Sequence, residues 1–226
     1  MSQLLDNPVF NALNTYDSHL GSGTDHVKFF DEEVSPFAGF QDGYIKGFDD
    51  LHQLLPPDRK ILYATRKKLT DIPGWKLIST IEGLQFKLEN RKPSGKIFSQ
   101  PVPLDARHAD EMVKLAALTK PGPFNKRTIE FGSYFGIFEN DRLAAMTGQR
   151  LHVPGFSEVS AVCTHPDFLG KGYATILLEQ QLDIIFSSGR KSFLHVRSDN
   201  ERAISIYERL GLRKNGPMNF YYLKKA

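Results

Sequence analysis

Val159-Ser160-Ala161-Val162-Cys163-Thr164-His165-Pro166-Asp167-Phe168-Leu169-Gly170-Lys171-Gly172-Tyr173-Ala174-Thr175-Ile176-Leu177-Leu178 is the stretch whose reading decides the fold. Its first residues are small, apolar or β-branched and too few for a helix, which predicts a strand. Pro166 lacks an N–H and disfavours helix at His165, so the strand should end there. Gly170 and Gly172 permit close packing or positive φ. Beyond them Ala174, Leu177, Leu178, Leu182 and Ile185 fall at helical spacing. A strand that feeds a glycine turn and a helix N-terminus makes an anion site. Its free N–H groups point outward and carry about half a positive charge. The turn reads as a holder for a pyrophosphate.

Outward from this stretch, the second half of the chain is patterned clearly. Ile97 to Leu104 reads as a strand whose two prolines put it at an edge. Asp105 can cap a helix reaching about Thr119. Lys120-Pro121-Gly122-Pro123 breaks that helix, and 124–131 suits a short second one. Residues 134–138 and 143–153 form a hairpin across Glu139-Asn140-Asp141, and Pro154-Gly155 is the next turn. After the glycine-turn helix, Gly189 supplies a C-cap. Residues 192–197 read as a strand. Ser198-x-x-Glu201 suggests a capping box before a helix to Leu210, and 220–223 is a last strand. This order predicts an α+β fold with a mixed sheet, and the unit 156–197 should be a right-handed parallel crossover.

The first half is less regular. Residues 1–30 show no clear period. A helix is expected over 42–55, stopped by Pro56-Pro57, with strands at 60–65, 75–80 and 83–88. The polar, turn-rich run Asn90 to Lys96 places a boundary between a smaller α+β domain, 1–92, and a second domain, 97–226.

Composition narrows the function classes. Hydrophobic residues make up 40% of the 226 residues, and no window approaches a membrane span. The N-terminus has no basic region followed by an apolar core, so no secretory signal is expected. A single cysteine excludes an internal disulfide and fits a reducing, cytoplasmic setting. No CxxC or HExxH metal pattern occurs, so no metal is expected. Residues 1–56 hold nine acidic and two basic residues, a net of −7, and the remainder holds 27 basic and 17 acidic, a net of +10. The basic part contains the glycine turn, which fits an anionic small ligand. Without a long basic run or a recognisable module, neither nucleic acid nor a membrane is an expected partner.

Two motifs in order then carry a resemblance. Val162-Cys163-Thr164-His165-Pro166 followed by Leu169-Gly170-Lys171-Gly172-Tyr173-Ala174 resembles the pyrophosphate loop of the GNAT superfamily of acyl-CoA-dependent N-acetyltransferases, Arg/Gln-x-x-Gly-x-Gly/Ala. Asn200-x-x-Ala203-x-x-x-Tyr207-x-x-x-Gly211-Leu212 resembles that family's second cofactor element. The match covers roughly 97–224 and is nearest in style to glycine N-acyltransferase-like C-terminal domains. One departure stands out: Leu169 occupies the position of the family's Arg or Gln, and Lys171 is the expected substitute charge.

The resemblance implies a mixed, mostly antiparallel GNAT-like sheet flanked by helices. It also implies direct attack of an amine on acetyl-CoA, with the acceptor a small-molecule or amino-acid-like primary amine and the protein a monomer or homodimer. Backbone N–H groups from Leu169 to Ala174 would hold the pyrophosphate, with Val162, Cys163 and Thr164 lining the cofactor and an N–H near Val162 polarising the carbonyl. Asn200 would bond the pantetheine arm, or serve only as a helix-start residue. Tyr207 would act as acid toward the leaving sulfur, or pack as a core aromatic. Glu158 is the candidate base, either with a raised pKa or through water; otherwise it is an exposed strand-end carboxylate. Strand alternation would put Glu158, Ser160 and Val162 on one face. Cys163 and His165 would share the other, where a Cys–His nucleophile is the weaker reading. The first half echoes the back half of the second and would be a degenerate copy covering the acceptor, its acidity favouring a cationic amine. Alternatives are a non-catalytic acyl-CoA sensor, a longer acyl donor or a protein amine.

Overall fold

The computed structural model describes residues 2–94 and 100–226, with side chains from Leu4 onward. Its strands are β1 (Gly21–Gly23), β2 (Val27–Phe30), β3 (Phe37–Phe40), β4 (Lys60–Thr65), β5 (Trp75–Leu88), β6 (Val102–Pro103), β7 (Phe135–Glu139), β8 (Arg142–Val153), β9 (Phe156–Thr164), β10 (Lys191–Arg197) and β11 (Arg213–Lys225). Its α-helices are α1 (Pro8–Leu13), α2 (Gly47–Leu54), α3 (Ala109–Thr119), α4 (Tyr173–Ser187) and α5 (Glu201–Arg209). All the described strands join in one sheet, ordered β1-β2-β3-β4-β11-β5-β10-β9-β8-β7-β6. Only β3·β4 and β9·β10 pair in parallel, each across an intervening helix, α2 or α4. The expected mixed, mostly antiparallel α+β architecture is therefore present, and 156–197 is the expected parallel unit.

The sequence boundary at 92–97 does not separate two sheets. β5, from the first half, lies between β10 and β11. β11, from the second half, pairs with β4 as well as β5. Each half thus lends its last strand to the other. Gly83 marks the crossing: a Cβ there would lie 2.9 Å from the Met218 carbonyl and 3.1 Å from that of Val196. Only a bare backbone fits where three strands converge.

Two apolar layers cover the faces near the centre. On one, Leu178, Leu182 and Ile185 of α4 and Tyr207 of α5 pack with Phe86, Val159 and Leu194. On the other, Val9 and Leu13 of α1 and Met112 and Leu115 of α3 pack with Leu151, Phe156 and Phe193. Each fully buried Leu or Ile contributes about 1.5–3 kcal/mol. α4 ends as its sequence predicts. Gly189 takes φ +75°, and the Arg190 N–H returns to the Ile185 carbonyl at 3.2 Å.

Several local expectations change. The stretch before residue 30 is more regular than its pattern suggests, because α1, buried along most of its length, and two short strands form there. The 42–55 helix begins only at Gly47, and 75–88 is one strand rather than two. Of the expected 97–104 strand, residues 97–99 lie outside the described residues, while Val102–Pro103 pairs with β7 at the edge. Asp105 does cap, but a 3-10 turn over Ala106–His108 precedes α3. The cap of α5 is Asn200, whose side chain accepts from the Ala203 N–H at 3.1 Å. Ser198 instead donates to the Glu82 carbonyl. Among the described residues, no helix is long and apolar enough to cross a membrane.

Candidate active site

β9 pairs with β10 only over Phe156–Glu158 against Lys191–Phe193. Beyond that point β9 stays with β8 while β10 continues along β5. The strands part, and a 610 Å³ cavity fills the gap, lined by 158–164 on one side and 195–197 on the other. At the parting β9 is bulged. Its register against β8 shifts between Met146 and Gly148, and Ala161 takes φ +51°. For a residue other than glycine this conformation costs about 1–2 kcal/mol. The bulge breaks the two-residue alternation. Val159 and Val162 both face α4, whereas Ala161 and Cys163 both face α3. The expectation that Glu158 and Val162 share a face is thereby corrected: Val159 follows Glu158 directly, so Glu158 points away from the α4 side.

The glycine turn follows. Gly170 and Gly172 sit at φ +84° and +79°, and a Cβ on either would meet only open space, so backbone conformation rather than room requires glycine. Thr175 and Ile176 donate to the Gly172 carbonyl at 3.0 and 3.1 Å. Among the described residues, no carbonyl takes the amides of Gly170, Lys171, Gly172, Tyr173 or Ala174. Of these residues Gly170, Gly172, Tyr173 and Ala174 border a second cavity of 290 Å³ that shares Thr164, Leu169, Ala174, Arg202 and Ile206 with the first. Leu169 stands half exposed at the rim of both. Lys171 does not supply the missing charge, because its Nζ turns to Glu139 at 3.2 Å. Arg202 and Arg209 of α5 line the groove instead. Seven residues apart, they lie on one helix face, a spacing the sequence reading did not use.

Glu158 is fully buried rather than exposed. Arg150 donates from Nε and Nη2 to its two oxygens at 2.9 and 2.7 Å, and His195 Nδ1 donates at 2.7 Å. Gln85 holds the far side of the imidazole. Its Oε1 accepts from Arg66 at 2.7 Å and Asn215 at 2.6 Å, so its amide N–H faces His195 Nε2 at 2.9 Å and the Leu5 carbonyl at 2.8 Å. The network thus assigns the ring proton to Nδ1. Burial alone would raise the Glu158 carboxyl, but Arg150 and His195 outweigh it and hold it down at about 2. A base for an ammonium requires the opposite displacement, so the expected raised pKa is corrected. His195, given no role by sequence, and Gln85 join the site only through strand pairing.

Tyr207 lines the first cavity, 6% exposed, with burial lifting its hydroxyl to about 12. Asn200 lines it too, its Oδ1 engaged by the cap and its Nδ2 facing no acceptor among the described residues. Cys163 is buried, and desolvation pushes its thiol up to about 11. His165 turns to Arg142 and Asp167, so no Cys–His pair forms. The first half does reach the cavity, but through Phe37, Leu62 and Ile81, none of them acidic. Four of its acids pair elsewhere: Asp17 with His152, Asp6 with Arg66, Asp31 with Arg127 and Glu32 with Arg59. The expected acidic acceptor side is corrected accordingly. Among the described residues, no cluster of His, Cys, Asp and Glu could hold a metal ion.

The chain is similar to several known proteins. Residues 134–222 match the FR47-like protein family. A crystal structure described as an acetyltransferase of the GNAT family from Novosphingobium aromaticivorans is 30% identical, covers 98% of each chain and superposes with a TM-score of 0.90. An uncharacterised protein of Mycobacterium leprae is 35% identical over 95 residues, 41% of this chain. The N-alpha-acetyltransferase RimI of Mycobacterium tuberculosis is 31% identical over 106 residues, 45% of this chain. The matched segments span 26% of the Mycobacterium leprae protein and 66% of RimI.

Proposed function

Because the chain belongs to the GNAT family of acetyltransferases, we propose that it moves an acetyl group from acetyl-CoA to the primary amine of a small or amino-acid-like acceptor. The observation that carries this reading is the parting of β9 from β10 beside a helix N-terminus with five unclaimed amides. Acetyl-CoA supplies an activated thioester. The amides from Gly170 to Ala174 hold the diphosphate, and Arg202 and Arg209 add positive charge along the groove. Thr164 and Leu169 line the passage from groove to cavity. The Asn200 Nδ2 donates to the pantetheine arm. The strained backbone at Ala161–Val162 aims an N–H at the thioester carbonyl, where negative charge develops.

Tyr207 steadies the leaving sulfur by a hydrogen bond. Outright proton transfer from a hydroxyl at about 12 to a thiolate near 8.5 is uphill by roughly 5 kcal/mol. Glu158 holds Arg150 and His195 in place, and the ammonium proton leaves through water at the open cavity mouth. A test is acetyl-CoA consumption, followed by free thiol release, across a panel of amines. Tight CoA binding without turnover favours the non-catalytic sensor. A protein amine is the second reading, favoured by the likeness to RimI, an N-alpha-acetyltransferase by name. Turnover of peptides alone would select it.

A further inference from the structure

The charged residues around the cavity are Lys120, Arg150, Arg197, Arg202 and Glu158. Arg197 pairs with Asp199 outside it, and Glu158, the acid of this set, is closed by three donated hydrogen bonds. A plain ammonium entering here meets cations and no free carboxylate. Arg150 has the converse need. Its Nε and Nη2 are taken by Glu158, while Nη1 finds no acceptor among the described residues. The guanidinium is fixed, 12% exposed, with Cζ 4.8 Å from the Phe37 ring centroid. A guanidinium edge this enclosed is best satisfied by a planar anion. Around it, Phe37, Leu62, Ile81 and Phe220 form an apolar wall.

Resting on the acetyl-transfer reading above, we propose that the acceptor is a free amino acid with a bulky apolar side chain. Arg150 engages its carboxylate, and the Phe37–Leu62–Ile81–Phe220 wall takes its side chain. In the transfer the amine nitrogen bonds to the acetyl carbon, the C–S bond breaks, the thiolate takes up one proton and a second proton passes to water. Arg150 is then a specificity-determining residue, and Glu158 positions it.

The test measures thiol release from acetyl-CoA with matched acceptors on the unmodified protein: phenylalanine against phenethylamine, leucine against isopentylamine, and a tripeptide with N-terminal phenylalanine. The expected kcat/KM favours each free amino acid over its decarboxylated partner and over the peptide by at least about tenfold. The double variant Arg150→Gln with Glu158→Gln, which leaves no lone buried charge, should bring each pair within about threefold through the KM of the amino acid. Equal or faster turnover of the decarboxylated amines or the peptide overturns the inference and leaves acetyl transfer standing. Thiol release with no acceptor at all would instead defeat the acetyl-transfer reading, and the inference with it.

Discussion

The turn from β9 into α4 and the turn from β3 into α2 hold equivalent places in the sheet. Each follows a strand that runs parallel to the next across a helix. Their chemistry differs at every point that matters for an anion. Before α4, five amides lack carbonyl partners among the described residues, the first helical turn has no acid, and two arginines of α5 face the groove. Before α2, the turn bonds to itself through Tyr44 to Gln41, Gly47 to Tyr44 and Asp50 to Lys46. Asp49 and Asp50 fill its first turn. Gly47 serves packing, since a Cβ there would fall 2.3 Å from the Phe40 ring. Topology therefore supplies a helix dipole twice, and free amides with the right charges decide which copy can bind.

Substitutions can break or sharpen this contrast. The largest effect is expected at Gly172→Val, because a β-branched residue cannot hold φ +79° without strain. Losing two charge-assisted contacts should weaken CoA roughly 100-fold by calorimetry. Gly43→Val, at φ +80° in the other turn, should lower Tm while leaving CoA affinity unchanged. Next, Arg202→Ala with Arg209→Ala should cost about tenfold in CoA affinity and flatten its salt dependence. Tyr207→Phe should lower kcat several-fold with CoA affinity intact, since its hydroxyl has no hydrogen-bond partner among the described residues.

The smallest and most indirect effect concerns acid. Glu158 titrates lower in the folded chain than unfolded, so its contribution is complete above about 4.5 and fades as pH falls toward about 2. Glu158→Gln should remove that part of the acid dependence in denaturation curves, at reduced stability near neutral pH because the buried Arg150 loses its partner.

What was legible in sequence was local. Pro166, Gly170, Gly172 and the apolar stripe of α4 declare a strand, a turn and a helix within twenty residues. The pairing of Arg150 with Glu158 was not legible, because a regular hairpin across Pro154-Gly155 sets Glu158 opposite Leu151, and a register shift between Arg150 and His152 brings Arg150 opposite it instead. The bulge at Ala161 was not legible either, since no residue type announces it, and it reversed the face assignments built on strict alternation. Nor could Gln85 and His195 be found, because their meeting depends on β5 lying beside β10 over a separation of 110 residues. The interleaving of β5 and β11 escaped for the same reason. Hydrophobic pattern fixes which face a strand buries, not which distant strand it pairs with.

The central claim, that one of two equivalent turns holds the cofactor, is tested most directly by titrating CoA into the protein calorimetrically, with and without Gly172→Val. The account predicts one CoA per chain and roughly 100-fold weaker binding in the variant. Two CoA molecules per chain, or affinity unaffected by the substitution, would contradict it.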